Sequence, residues 1–331
     1  MHIWSPRQHL VDNLIDLVGI KAGLTLSESK ALGLLNDLSE GWWEGNKEEL
    51  IRIDMLDFEE AFIHLMYKVG YLQNERDLSG VVIDFVENNL SRFGVDAHDV
   101  MKKVEVCSLI QHHLAENALY KREMPEEYSS IPEFGGLIRD YKDRYVFHNE
   151  MPESVDWNGS VPLDALFESE EIPDSEDSGC YFDQRYIDYL SRQIAEVGEI
   201  HWRQFEYLTG EYFRKNGYEV EVTQGRGDGG IDVIVKKNDP ISGPQMILVQ
   251  CKQYSEQNPV QVDSVRAFWA TVDDAGATKG IVATTSRLTN GAQEYCKAKL
   301  YRMDSAEKSK IESWVHSMST SHNNAFQRTS R

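Results

Sequence analysis

Gly225-Arg226-Gly227-Asp228-Gly229-Gly230-Ile231-Asp232-Val233, answered further on by Val249-Gln250-Cys251-Lys252-Gln253-Tyr254, decides how this chain is read. An aspartate stands at the mouth of one apolar run, and a second apolar run ends in polar residues spaced two apart. Strand side chains alternate between faces, so Gln250 and Lys252 are expected on one face and Cys251 on the other. If the two strands pair, the Asp232 carboxylate lies near the polar face, and an acid, an amide and an amine converge. Gly225, Gly227 and Gly230 also spell G-x-G-x-x-G, but a dinucleotide site needs a helix directly after the glycines. Ile231 to Lys237 is β-branched instead, which excludes that reading.

This string resembles the catalytic domain of Mrr-type restriction endonucleases, within the PD-(D/E)XK nuclease superfamily, whose pattern is an Asp-Gly-Gly-Ile-Asp turn followed by Gln-x-Lys. Glu206, in Phe205-Glu206-Tyr207-Leu208, matches the family's helical glutamate. The likeness continues through Asn258-Pro259-Val260, Val265-Arg266-Ala267-Phe268 and Thr284-Thr285-Ser286-Arg287-Leu288-Thr289, over roughly residues 180 to 317. It implies nuclease activity on DNA in restriction or anti-phage defence. Singly, Glu206 would be a solvated helix residue and Asp228 a turn former; the joint occurrence carries the functional reading.

The chemistry fits those residue types. Cleaving a phosphodiester takes a nucleophilic water, charge relief on the phosphate and stabilisation of the leaving oxygen, all of which a divalent ion supplies. Mg2+, or Mn2+, asks for hard oxygen ligands and keeps several waters. Asp232 and Glu206 are the expected carboxylate ligands, with the Gln250 amide oxygen or the Cys251 carbonyl as a neutral one. Lys252 is suited to orient or deprotonate water, or to steady the phosphate. Arg226, Gln253, Tyr254 and Ser286 are the candidate substrate contacts. Two other readings stand beside this one: the same chemistry on RNA, and a non-catalytic binding subunit of a defence complex.

Charge divides the chain. There are 34 basic and 55 acidic residues among 331, a net of −21. Residues 181 to 331 carry 19 of each sign, so 15 basic against 36 acidic residues put the whole excess in residues 1 to 180. A DNA-gripping surface is basic, so the first part is expected to sense or to bind a protein partner. Cys107, Cys180, Cys251 and Cys296 form no C-x-x-C pair, against structural zinc or a disulfide framework. No apolar run reaches the length of a membrane span and no leader pattern opens the chain, so a cytoplasmic protein is expected.

In order, residues 1 to 150 read as a mainly α-helical, acidic domain. Helices are expected around Val11 to Val18, after a capping box at Thr25-Leu26-Ser27-Glu28, from an Asp57 cap over Phe58 to Val69, over Val81 to Phe93, and over Val100 to Leu119. Residues 151 to 180 contain no Lys or Arg and read as an acidic linker. A sharper expectation is that this strip imitates DNA and covers a nuclease cleft. Residues 181 to 317 read as an α/β nuclease domain with a mixed central sheet flanked by helices. Helices are expected at Gln184 to Val197 and Trp202 to Asn216, then strands at Tyr218 to Thr223, Ile231 to Lys237 and Gln245 to Gln253. A helix from Pro259 to Asp274, a strand at Lys279 to Thr284, a helix from a Thr289 cap to Leu300 and a last helix from Ala306 to Met318 follow. Residues 318 to 331 read as a disordered tail. Cutting both DNA strands with one site per chain calls for a dimer or larger assembly.

Overall fold

A computed structural model describes residues 2–147, 160–171, 179–223, 229–239 and 243–320. The chain parts into two compact units between Val161 and Pro162. Arg226, Asp228 and the tail from 321 onward lie outside the described residues.

The first unit opens with strand β1 (His2–Pro6), helix α1 (Arg7–Ala22), the short β2 (Leu24–Thr25), α2 (Glu28–Asn36), β3 (Leu50–Asp54) and α3 (Met55–Lys68). It continues with α4 (Leu78–Asn88), α5 (Val100–Tyr120), α6 (Glu126–Ser129) and α7 (Phe134–Arg144). The helical expectation is therefore incomplete, because β1 and β3 pair antiparallel, His2 opposite Asp54 through Pro6 opposite Leu50. These are short segments without a run long enough to announce a strand, and a single ribbon draws its stability from packing. Two caps also differ from expectation. The Ser27 hydroxyl accepts from Lys30 N while Thr25 lies in β2. Asp54, still extended at the end of β3, accepts from Leu56 N and starts α3 three residues before Asp57. Asp77 caps α4 through Gly80 N, so that helix begins one turn early and Phe93 falls beyond its end.

Val82, Phe85 and Val86 of α4, Ile110 and Leu114 of α5, and Phe134, Leu137 and Tyr141 of α7 share one core. Lys21 closes the end of α7. Its buried ammonium donates to Lys142 O (2.6 Å), Asp143 O (3.3 Å) and Tyr145 O (2.7 Å), where the orphan carbonyls of a helix end welcome a cation. Burial brings its pKa down to about 7, and burial likewise brings neighbouring Asp143 up to about 6.

Beyond the boundary strand β4 (Val161–Pro162), the second unit runs α8 (Asp164–Glu168), α9 (Gln184–Arg192), α10 (Trp202–Lys215), β5 (Glu219–Val222), β6 (Val233–Asp239) and β7 (Gly243–Lys252). Then come α11 (Val262–Asp274), β8 (Lys279–Thr284), α12 (Asn290–Ala298), β9 (Met303–Ala306) and α13 (Lys308–Met318). Five strands form one sheet in the order β5-β6-β7-β8-β9. β5, β6 and β7 run antiparallel, while β7, β8 and β9 are parallel. Each parallel step needs a crossover, and α11 and α12 supply them. Leu248 and Val282 from the sheet pack with Val265, Phe268 and Val272 of α11 and Ala292 of α12, while α10 lies against β5, β6 and β7.

Three expectations change here. The fifth strand, Met-Asp-Ser-Ala, was not foreseen because four residues of mixed polarity carry no period-two signal. α11 begins at Val262 rather than Pro259, because Val260 is drawn into a parallel bridge with Leu288 and donates its N–H to Arg287 O (2.8 Å). Within the stretch read as a linker, α8 is folded and Leu163 and Leu166 are buried.

Candidate active site

Helix α10 starts at His201, whose ring accepts from Arg203 N, and stops before Gly217, which adopts φ +80°. Glu206 is on its buried side, 5% exposed. A carboxylate so enclosed needs a partner, and Arg203, one turn back, provides it: Nη1 donates to Glu206 Oε2 at 2.5 Å and to Thr223 O at 2.7 Å. The guanidinium also lies over the Tyr207 ring, 4.7 Å from its centre. Burial works against its charge, but the bonds to Glu206 and Tyr207 outweigh that and hold its pKa above the ordinary value. Arg203 was not among the sequence candidates; its i, i+3 spacing from Glu206 was the available signal.

Asp232 sits just before β6. The sheet register pairs Val233 with Val249, yet Asp232 N donates to Val249 O (2.9 Å), so the ladder slips by one residue at this end. Slips of this kind re-aim side chains at the rims of sheets. The Asp232 carboxylate accepts from Cys251 N at 2.6 Å through Oδ2, and its carbonyl accepts from Thr223 N at 3.0 Å. The Thr223 hydroxyl meanwhile donates to Ile231 O at 2.7 Å. The end of β5 is thus stitched to the residues on either side of the acid.

Gln250 is buried, and its Nε2 donates to Gly230 O at 3.1 Å. Only the NH2 end of the amide can satisfy a carbonyl, so Oε1 is set facing away, buried and, among the described residues, without a hydrogen-bond partner. Gly230 makes this approach possible: it adopts φ +83°, and a Cβ there would stand 2.4 Å from Gln250 Nε2.

Cys251 lies between Gln250 and Lys252 on β7. Burial, and then the nearby charge of Asp232, push its thiol pKa well up; Glu206 adds to the rise, while Thr209 and Lys252 oppose it. Among the described residues the Lys252 ammonium has no hydrogen bond or ion pair, while the Lys252 carbonyl accepts from the Thr284 hydroxyl at 2.7 Å. Tyr254 is 37% exposed and anchored by its main chain to Thr285. Gln253 spends its amide on Gly198 O (2.7 Å). Ser286 is 3% exposed, with an unpartnered hydroxyl, so it offers no open surface here. Arg226 lies outside the described residues. A cavity of about 550 Å3 between α12 and β9 shares no residue with this cluster.

The donors suit a hard divalent ion. Among the described residues no three of His, Cys, Asp and Glu gather to hold a metal by themselves. By their chemistry Asp232 and Glu206 would offer two carboxylates and Gln250 Oε1 an amide oxygen, donors that Mg2+ would complete with water and phosphate. The orphaned Oε1 supports the fit, because a buried acceptor left unpaired is costly.

Comparison with known proteins bears on the same span. No curated protein matches the chain. Among solved structures it is similar to the DNA modification-dependent restriction endonuclease AspBHI, at 17% identity over 45% of this chain and 41% of that one, with a TM-score of 0.33. It is similar also to the MspJI restriction endonuclease in complex with a 27-mer oligonucleotide, at 17% identity over 57% and 46%, TM-score 0.30. Restriction endonuclease FokI follows at 11% identity over 100% and 70%, TM-score 0.32. The chain spans less than half the length of the first two. Residues 197–314, which include Glu206, Asp232, Gln250 and Lys252, match the family model of the Mrr catalytic domain, described as a restriction endonuclease, and that span is recognised as such a domain.

Proposed function

We propose that the chain is a divalent-metal-dependent endonuclease that hydrolyses DNA phosphodiester bonds, a cytoplasmic effector of restriction or anti-phage defence. Its acidic helical N-terminal part, residues 1 to 150, controls activation or recruitment through a protein partner. The observation that carries the reading is the seating of the Asp232 carboxylate on Cys251 N at 2.6 Å, between Gln250 and Lys252 of β7, inside a span matching the restriction endonuclease family model.

Asp232, Glu206 and Gln250 Oε1 would hold Mg2+ or Mn2+, which supplies an acidified water and charge relief on the phosphate. The chain's own groups do the rest. Cys251 N–H fixes the Asp232 carboxylate, and Gly230 O holds the Gln250 amide nitrogen, so that its oxygen is the end that would meet an ion. Lys252, with three donors and no competing partner among the described residues, holds the attacking water or a phosphate oxygen. Tyr254, 37% exposed, would touch the strand being cut; Arg226, the other contact expected from sequence, lies outside the described residues. Two chains are needed to cut both strands, so the active form is a dimer or larger.

Incubating purified protein with supercoiled plasmid and Mg2+ tests this, with duplex, single-stranded DNA and tRNA run in parallel. Asp232→Ala and Lys252→Ala should each lower cleavage about a thousandfold or more while the thermal midpoint stays near that of the parent. Undiminished cutting by either variant refutes the assignment, and cutting confined to tRNA moves the substrate to RNA.

A further inference from the structure

We infer that Arg203 is the positioning residue of this site, a brace that fixes the Glu206 carboxylate and ties helix α10 to the strand end carrying Asp232. The inference rests on the nuclease reading above. The two candidate acids come from different elements, one from a helix and one from the foot of a strand, so nothing in the sheet alone sets their spacing. Arg203 Nη1 spans the gap, bonded at once to Glu206 Oε2 (2.5 Å) and Thr223 O (2.7 Å). Thr223 in turn holds Asp232 and Ile231, through its N–H to Asp232 O (3.0 Å) and its hydroxyl to Ile231 O (2.7 Å). A continuous chain of hydrogen bonds therefore runs from the glutamate to the aspartate, and Arg203 is its one cationic link.

The geometry explains why an arginine is used. A planar guanidinium serves two oxygens in fixed directions, whereas an ammonium is a point charge. Stacking over Tyr207 at 4.7 Å restricts it further, so little freedom is lost when substrate arrives. The side chain of Arg203 is largely enclosed, 13% exposed, and that of Glu206 is 7% exposed. Placed there, the guanidinium acts on the reaction through the carboxylate it orients. Outer-shell partners of ligating groups typically matter about 10- to 100-fold in metal affinity.

The test uses the full chain and Mn2+ as the probe, with binding followed by the loss of the free-ion electron paramagnetic resonance signal and cleavage measured separately. Arg203→Ala should weaken Mn2+ binding about 10- to 100-fold and lower kcat in step, leaving KM for a duplex oligonucleotide within about twofold. Arg203→Lys, which keeps the charge but not the planar fork, should recover only part of the binding, and so serves if the alanine variant folds poorly. Groups that act as a unit are not additive, so in a Glu206→Gln background Arg203→Ala should cause a clearly smaller further loss, since only its bond to Thr223 O remains to be broken. Equal losses in both backgrounds would make Arg203 a packing residue, and a rise in KM alone would make it a phosphate contact; either overturns the brace. A parent protein that binds Mn2+ without cutting DNA refutes the proposed function alone, and one that binds no Mn2+ refutes both.

Discussion

Replacing Gln250 by glutamate sets the stability of the ion-free protein against its affinity for the ion. In the parent, Nε2 donates to Gly230 O at 3.1 Å, with Oε1 buried and unpartnered. Gln250→Glu removes that donor and turns an acceptor toward the carbonyl, a loss of about 1–3 kcal/mol for a buried group left unsatisfied. It also adds a negative charge to a cluster already holding Asp232 and Glu206. Unit charges roughly 5 Å apart at an effective dielectric of about 20 repel by about 3 kcal/mol, which Lys252 and Arg203 partly offset. A net loss of about 3–5 kcal/mol lowers the melting midpoint of a unit this size by about 6–20 °C without metal. A divalent ion reverses the sign of the new charge's effect. Each 1.4 kcal/mol of extra attraction tightens binding about tenfold, and ligand at about 100 times Kd returns about 2.7 kcal/mol. Differential scanning fluorimetry at fixed pH, with EDTA and with millimolar Mg2+, reads both effects. The variant should melt far below the parent in EDTA and close much of the gap in Mg2+. Equal melting in EDTA, or a gap untouched by Mg2+, would show that this amide does not face an ion site.

Other perturbations probe separate parts of the molecule. Gly230→Ala places a Cβ 2.4 Å from Gln250 Nε2 on a backbone at φ +83°, so a destabilisation of about 2–4 kcal/mol and a matching fall in cleavage are expected; a denaturation curve overlaying the parent's would contradict this. Burial raises the Asp188 pKa from 3.8 to about 7, against hydrogen bonds from Gln184 and Thr320 that lower it. Its folded form thus keeps a proton the unfolded form sheds, a contribution present below pH 3.8 and lost as pH rises through 7, roughly 4 kcal/mol over that window. Asp188→Asn should flatten the pH dependence of urea unfolding between those limits, and an unchanged slope would refute the assignment. In the acidic strip, Gln204 Nε2 donates to Ala165 O (3.3 Å), Ser169 O (3.1 Å) and Glu171 O (3.1 Å), while Glu168, Glu170 and Glu171 remain exposed. Converting those three to glutamine keeps the anchor and removes the charge. Basal plasmid cutting should rise severalfold if the strip competes with DNA, and constant cutting disposes of the idea.

The sequence made some of this legible and hid the rest for physical reasons. β8 and the three antiparallel strands were readable because β-branched and apolar residues run together, bounded by glycine and proline. Asp232, Gln250 and Lys252 were readable because polar residues at the end of such runs stand out. Arg203 was not, because nothing local distinguishes an arginine that braces a buried carboxylate from one on a solvated face. The one-residue slip at Asp232 was invisible for a similar reason: it is decided by tertiary hydrogen bonds to Val249 and Cys251, and no residue type announces it. β9 escaped because its pairing with β8, not its composition, makes it a strand. The β1 and β3 ribbon escaped in the same way.

The seclusion of Cys251 makes the site report on its own breathing. Only a thiolate reacts with alkylating reagents, and burial, then the nearby Asp232 charge, holds this thiol protonated well above the usual range. Cys107, Cys180 and Cys251 are all half-buried, but burial raises the thiol of Cys251 the most, so in native protein Cys107 and Cys180 should be modified before it. The rate at which Cys251 is eventually tagged measures how often the end of β7 parts from α10, and a ligand that clasps the acids together would slow that clock.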